Sequence, residues 1–146
     1  QTMDNFTIKI DENSTLILDR ITNVYNFKRD TITGRIAFSL SIEAGKKFHE
    51  DDVIIQDGRK YTNTSNLFGS YVNDLDNSTI FKAVLDQYYS KELTQNAFLK
   101  LYRLHLKDGL EVWSNKLNNC DITKGEHISL LLKPIKKEEC QIDWNI

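Results

Sequence analysis

Two cysteines, three histidines and a surplus of carboxylates are the residues of this chain that could do chemistry. Cys120 and Cys140 lie nineteen residues apart. That spacing does not make a zinc site, which needs about four ligands, often in close pairs. No C-x-x-C is present, so thioredoxin-type exchange has no motif. A nucleophilic thiol wants an electropositive setting, and Cys140 instead follows Glu138 and Glu139, which raise a thiol pKa. A disulfide between Cys120 and Cys140 is the simplest remaining expectation, contributing about 3 kcal/mol by loop closure. Two free thiols in a reducing compartment are the alternative.

His49, His105 and His127 are widely spaced and form no HExxH pair, so no metal site is expected. The run "FHEDD" (Phe48 to Asp52) gathers possible ligands. It lacks the Gly-punctuated order of a calcium loop and reads as a solvated turn. No Gly-rich phosphate loop, GxGxxG or GxSxG occurs, which leaves nucleotide binding and serine hydrolysis without a motif. No cofactor is expected, no catalytic residue is assigned, and the chain reads as a non-enzyme.

The bulk numbers set the frame. The chain has 146 residues, 40% hydrophobic and 27% charged, which fits one domain over 1–146 with a real core. A net charge of −2 gives no general electrostatic case for nucleic acid. No apolar run approaches the roughly 18 residues of a membrane span. The sequence shows no signal peptide, and its start at Gln1 instead of Met fits either a trimmed sequence or a cleaved leader. Four glycosylation sequons, at Asn5, Asn13, Asn63 and Asn77, point the same way. Together with the cysteines they predict a secreted, extracellular glycoprotein, or else a protein of the bacterial periplasm.

The elements that would position these groups read mostly as strands. "FTIKI" and "TLILDR" flank a polar turn. In "TGRIAFSLSIE", Ile36, Phe38, Leu40 and Ile42 alternate with polar or small residues, the period-2 mark of a half-buried strand. Asp57-Gly58 and Asp108-Gly109 each sit between β-prone runs and signal hairpins. Tyr102, Leu104 and Leu106 alternate with Arg103, His105 and Lys107; "HISLLLK" and "CQIDWNI" add further strands. One segment departs: Ile80, Phe81, Val84, Leu85, Tyr88 and Tyr89 fall at helical spacing, which predicts a helix of about 13 residues near 78–92. The expected fold is an antiparallel β-sandwich, immunoglobulin-like, with that one inserted helix; a single sheet backed by the helix, an α+β fold, is the alternative.

Seven Phe, six Tyr and two Trp would either fill such a core or line a cavity in it. As cavity lining, Phe38, Leu40, Tyr88, Tyr102, Leu104 and Trp144 would bury a hydrophobic small molecule or lipid. Several stretches carry a family resemblance: Tyr25-Asn26 with Gly34 leading into a strand, "CDITKG", the helix ending in "QYYSKEL", and "CQIDWNI". They resemble the small secreted insect proteins of the CheA/CheB type, themselves similar to the ML lipid-recognition superfamily. The resemblance implies a secreted β-sandwich with a lipid-like ligand, in chemosensory use. The rival expectation is a protein-binding module: a host-interaction factor, or a periplasmic immunity or secretion-system component.

Overall fold

The computed structural model describes residues 7–58, 60–63 and 77–119. Six elements follow in chain order: β1 (Thr7–Lys9), α1 (Glu12–Val24), α2 (Asp30–Glu43), β2 (Lys60–Asn63), α3 (Asn77–Tyr89) and α4 (Gln95–Asn118). The fold is therefore helical, not a β-sandwich and not a sheet backed by one helix. Its only sheet among the described residues is the short antiparallel ribbon β1–β2, which pairs Ile8 with Thr62 and carries an irregularity between Ile8 and Lys9. No described helix is long and apolar enough to cross a membrane.

Helix α1 begins where "DENS" was expected to turn between strands. Asp11 is its N-cap, accepting from the backbone N–H of Ser14 at 3.1 Å and from the Ser14 hydroxyl at 2.6 Å. Such a side chain satisfies one of the free donors of a first turn. Asp57 reinforces that end by accepting from Glu12 N–H at 2.9 Å. The Asp57-Gly58 pair thus anchors a loop on α1, with Gly58 N–H donating to the Ile10 carbonyl, rather than turning a hairpin. Ser14, Leu18 and Ile21 then share the buried face at helical spacing.

Helix α2 replaces the strand expected over 33–43. Gly34, Ala37 and Ser41 lie along the centre of its buried face, with Phe38 beside them. Ile36, Leu40 and Ile42 are only half-buried at its margins. The large apolar residues therefore trace a period of 2, while the face that packs is made of small residues at a period of three to four. The helix ends in a Schellman motif: Gly45 takes φ 78°, its N–H donates to Ile42, and Lys46 N–H donates to Ser41.

Helix α3 is the one expected near 78–92. It closes the same way, with Ser90 at φ 58° and Lys91 N–H donating to Asp86. The Asp86 carboxylate then accepts from Leu93 N–H at 2.9 Å, tying the short connection to α4.

Helix α4 is capped by Thr94, which accepts from Ala97 N–H. It is the central element. Phe98, Leu101, Tyr102, Leu106, Leu110 and Trp113 are all essentially inaccessible. Its less buried side carries Lys100, Arg103, Lys107 and Glu111 at helical spacing, but the local alternation at 102–107 passes for a strand. Asp108-Gly109, expected as a hairpin, lies inside this helix. A Cβ at Gly109 would sit 1.7 Å from the Ala37 carbonyl oxygen. The glycine is there because α2 passes too close for a side chain.

Gly109→Ala tests this directly. At an exposed helix position the change would stabilise by about 1 kcal/mol through propensity. Here it must push α2 off α4, and we expect a loss of about 2–3 kcal/mol in urea unfolding. A gain in stability would show that the two helices are not held this close.

Candidate functional site

The close α2–α4 approach brings four polar side chains together. Ser41 Oγ lies 2.8 Å from His105 Nδ1 and 2.7 Å from Asp108 Oδ2, and Tyr89 OH lies 2.7 Å from His105 Nε2. Phe48 N–H donates to Tyr89 OH at 3.1 Å. Each proton has one consistent place. Ser41 donates to Asp108, since a carboxylate only accepts; its oxygen must then accept from His105 Nδ1–H. Nε2 is left as the acceptor for the Tyr89 hydroxyl, whose oxygen takes the Phe48 amide. The network fixes a neutral imidazole with its proton on Nδ1.

The surroundings agree. His105 has 0% exposure. The rings of Phe48, Tyr88 and Phe38 meet it edge-on, with centroids at 4.9, 5.6 and 6.0 Å. Burial lowers its pKa from 6.5 to about 4, with Asp108 opposing and Lys47 adding to the shift. Burial likewise pushes the Tyr89 phenol up, which keeps it a donor. Lys47 lies over the Tyr88 ring, 3.5 Å from its centroid, and donates to the Tyr88 carbonyl. A serine beside a histidine suggests a nucleophile and its base. Here the serine proton points to the aspartate and aromatic rings close over the imidazole, so the set holds protons in place.

Asp108 and Phe48 also face outward, into a cleft of about 390 Å³ between β1, the 46–55 segment and α4. Its apolar wall is Ile10, Phe48, Val53, Ile54, Ile55 and Leu104. Its basic groups are Lys9, Lys46, Arg103 and Lys107, and its acidic groups Asp11, Asp108 and Glu111. The acids are engaged: Asp11 caps α1 and stands 3.8 Å from Lys107, Glu111 stands 3.9 Å from Lys107, and Asp108 holds Ser41. The Nε of Arg103 is buried without a hydrogen-bond partner, and burial lowers the pKa of its guanidinium.

The residues expected to line a lipid cavity go elsewhere. Phe38 and Tyr102 are buried against each other, ring centroids 4.8 Å apart, as core. Leu40 and Tyr88 are half-buried at the edge of that core. Leu104 is the one described member of the set that borders the cleft, whose wall also carries seven charged residues. The lipid-binding expectation is thus corrected: the aromatics fill space between helices instead of enclosing it. Trp144, Cys120, Cys140 and Asn5 lie outside the described residues, as do "HISLLLK" and "CQIDWNI". Asn13 is exposed in the first turn of α1, Asn63 ends β2 and Asn77 begins α3. In "FHEDD", His49 N–H donates to Asp52 and Glu50 pairs with Lys91 at 2.6 Å. No cluster among the described residues could hold a metal ion.

Ser41, Tyr89, Asp108 and the cleft cations carried no motif in the sequence. The available signal was the i, i+3 spacing of His105 and Asp108, which joins them on one face only if the segment is a helix.

The neutral imidazole makes stability pH-dependent. Unfolded, His105 binds its proton near pH 6.5; folded, only near 4. Between those values the unfolded chain carries the extra proton, so this contribution is complete above pH 6.5 and shrinks as pH falls, by about 3 kcal/mol in all. Thermal unfolding should show the decline, and His105→Asn should flatten it. Parallel curves for the two proteins would refute the assignment.

The comparisons with known proteins bear on the whole described fold. A family model described as "DNA sulphur modification protein DndE" matches residues 7–120. No curated protein and no solved structure matches the chain. The match overturns the resemblance to insect CheA/CheB-type and ML proteins. The residues behind that resemblance have helical roles: Tyr25 caps the end of α1, Asn26 takes the left-handed conformation after it, and Gly34 lies within α2. Running from β1 past the end of α4, the match covers well over half the sequence, and the chain belongs to the DndE family of DNA sulphur modification proteins.

Proposed function

We propose that the chain is a non-catalytic binding component of a DNA sulphur-modification system, working through its cleft. The observation that carries this is the family match over residues 7–120, which takes in every described element. Two features of the site support a binding role. The Ser41–His105–Asp108 set is wired inward and closed over by rings, which suits support of the cleft floor better than bond making. The cleft itself combines lysines that have no carboxylate partner among the described residues, Lys9 and Lys46, with exposed apolar side chains, the composition of an interaction surface. The net charge of −2 favours a contact with a protein of the system over general attraction to the duplex. A role of this kind is exercised where the DNA is, and we read the chain as intracellular rather than secreted.

Removing the gene from its own organism should abolish sulphur in the DNA, measured by mass spectrometry of nuclease digests. The wild-type chain should restore it, and so should Ser41→Ala once circular dichroism shows that the variant folds. Unchanged sulphur after deletion would remove the chain from the modification system. Restoration by wild type but not by folded Ser41→Ala would show that the hydroxyl itself is required, against a purely supporting role.

A further inference from the structure

We infer that the cleft between β1, the 46–55 segment and α4 binds an extended segment of a partner protein in which carboxylates alternate with apolar side chains. The cleft carries positive charge that its own acids do not use. Asp11, Asp108 and Glu111 are each engaged within the fold, all three by Lys107, the α1 cap or Ser41. Lys9 and Lys46 line the cleft with no carboxylate partner among the described residues, and the Nε of Arg103 is buried there without an acceptor. Beside these cations the 46–55 segment holds Val53 at 86% and Ile55 at 59% exposure, with Ile54 turned in toward the core between them. Lysines set beside exposed apolar side chains match an extended partner whose apolar side chains fall between its charges.

A DNA duplex suits this surface less well. Duplex affinity grows with the number of phosphates that cations can neutralise along a broad face. Here the cations line a cleft of about 390 Å³ and not a broad face, and the apolar wall would gain nothing from a sugar–phosphate backbone. The chemistry of the cleft stands independently; that the partner belongs to the DNA sulphur-modification system rests on the functional reading above.

The full chain, labelled with ¹⁵N, would be titrated with three probes: a peptide alternating Glu and Val, the same peptide with Gln for Glu, and a short DNA duplex. The Glu–Val peptide should shift the amides of Lys9, Ile10, Lys46 and Val53 to Ile55, with the Gln peptide at least about tenfold weaker, equivalent to about 1.4 kcal/mol. Lys46→Glu and Val53→Ser, both at exposed positions that the core does not need, should each weaken binding by a similar factor. The proposal is overturned if the peptide leaves these amides unmoved. It is equally overturned if the two substitutions have no effect, or if the duplex moves the same amides more strongly than the peptide. Each result is independent of the DNA sulphur content that tests membership of the system.

Discussion

The contact of Gly109 with the Ala37 carbonyl sets the geometry of everything around it. Two helices that meet through ordinary side chains stand about 8–10 Å apart. With no side chain on α4 at this point, and Gly34, Ala37 and Ser41 along α2, the backbones come closer. Only then can a group as short as the Ser41 hydroxyl reach both His105 and Asp108 on the facing helix. The same approach lays the Phe38 ring on Tyr102. Smaller groups repeat the principle between α1 and α2. Thr22 gives its proton to the Leu18 carbonyl, so the 2.7 Å contact with Thr33 is a donation from Thr33.

Polar residues in this core serve to lock its packing. His105, Ser41 and Tyr89 would each be costly if buried alone. Joined with Asp108 and the Phe48 amide, every proton finds one acceptor, and the arrangement permits only one tautomer. The lock also ties the irregular segment after α2 to α3, since Phe48 is held through Tyr89 and Lys46 accepts from the Tyr88 hydroxyl. That segment is one wall of the cleft. The core network and the outer surface are thus parts of one construction, with Asp108 and Phe48 belonging to both.

The sequence was legible where burial is one-sided. In α3, Phe81, Leu85 and Tyr88 or Tyr89 recur at helical spacing, and the helix could be read directly, although Ile80 and Val84 of the same pattern stay exposed. It was illegible in α2, where small residues make the contact and large ones alternate along its margins, and in α4, where the alternation at 102–107 and the Asp108-Gly109 pair masked a polar stripe of Lys100, Arg103, Lys107 and Glu111. Two cues favoured helices and were outweighed. Asp11 and Thr94 stand where N-caps belong, and the single proline, Pro134, lies beyond all the described helices. Aspartate-glycine pairs misled because a glycine can serve close approach as well as a turn. The site suffered the same loss: His105 and Asp108 become neighbours only once their segment is a helix.

The order of elements along the chain has a consequence for synthesis. The helix that supplies most of the core, α4, is the last of the described elements. As the chain leaves the ribosome, Ile8, Leu18, Ile21 and Phe38 emerge before the surface that will cover them. The bond from Arg20 to Asn118, at the far end of α4, closes a loop over most of the described chain. The N-terminal half therefore lacks the cover of α4 until that helix is made, and that interval exposes apolar surface of the nascent protein to chaperones and proteases.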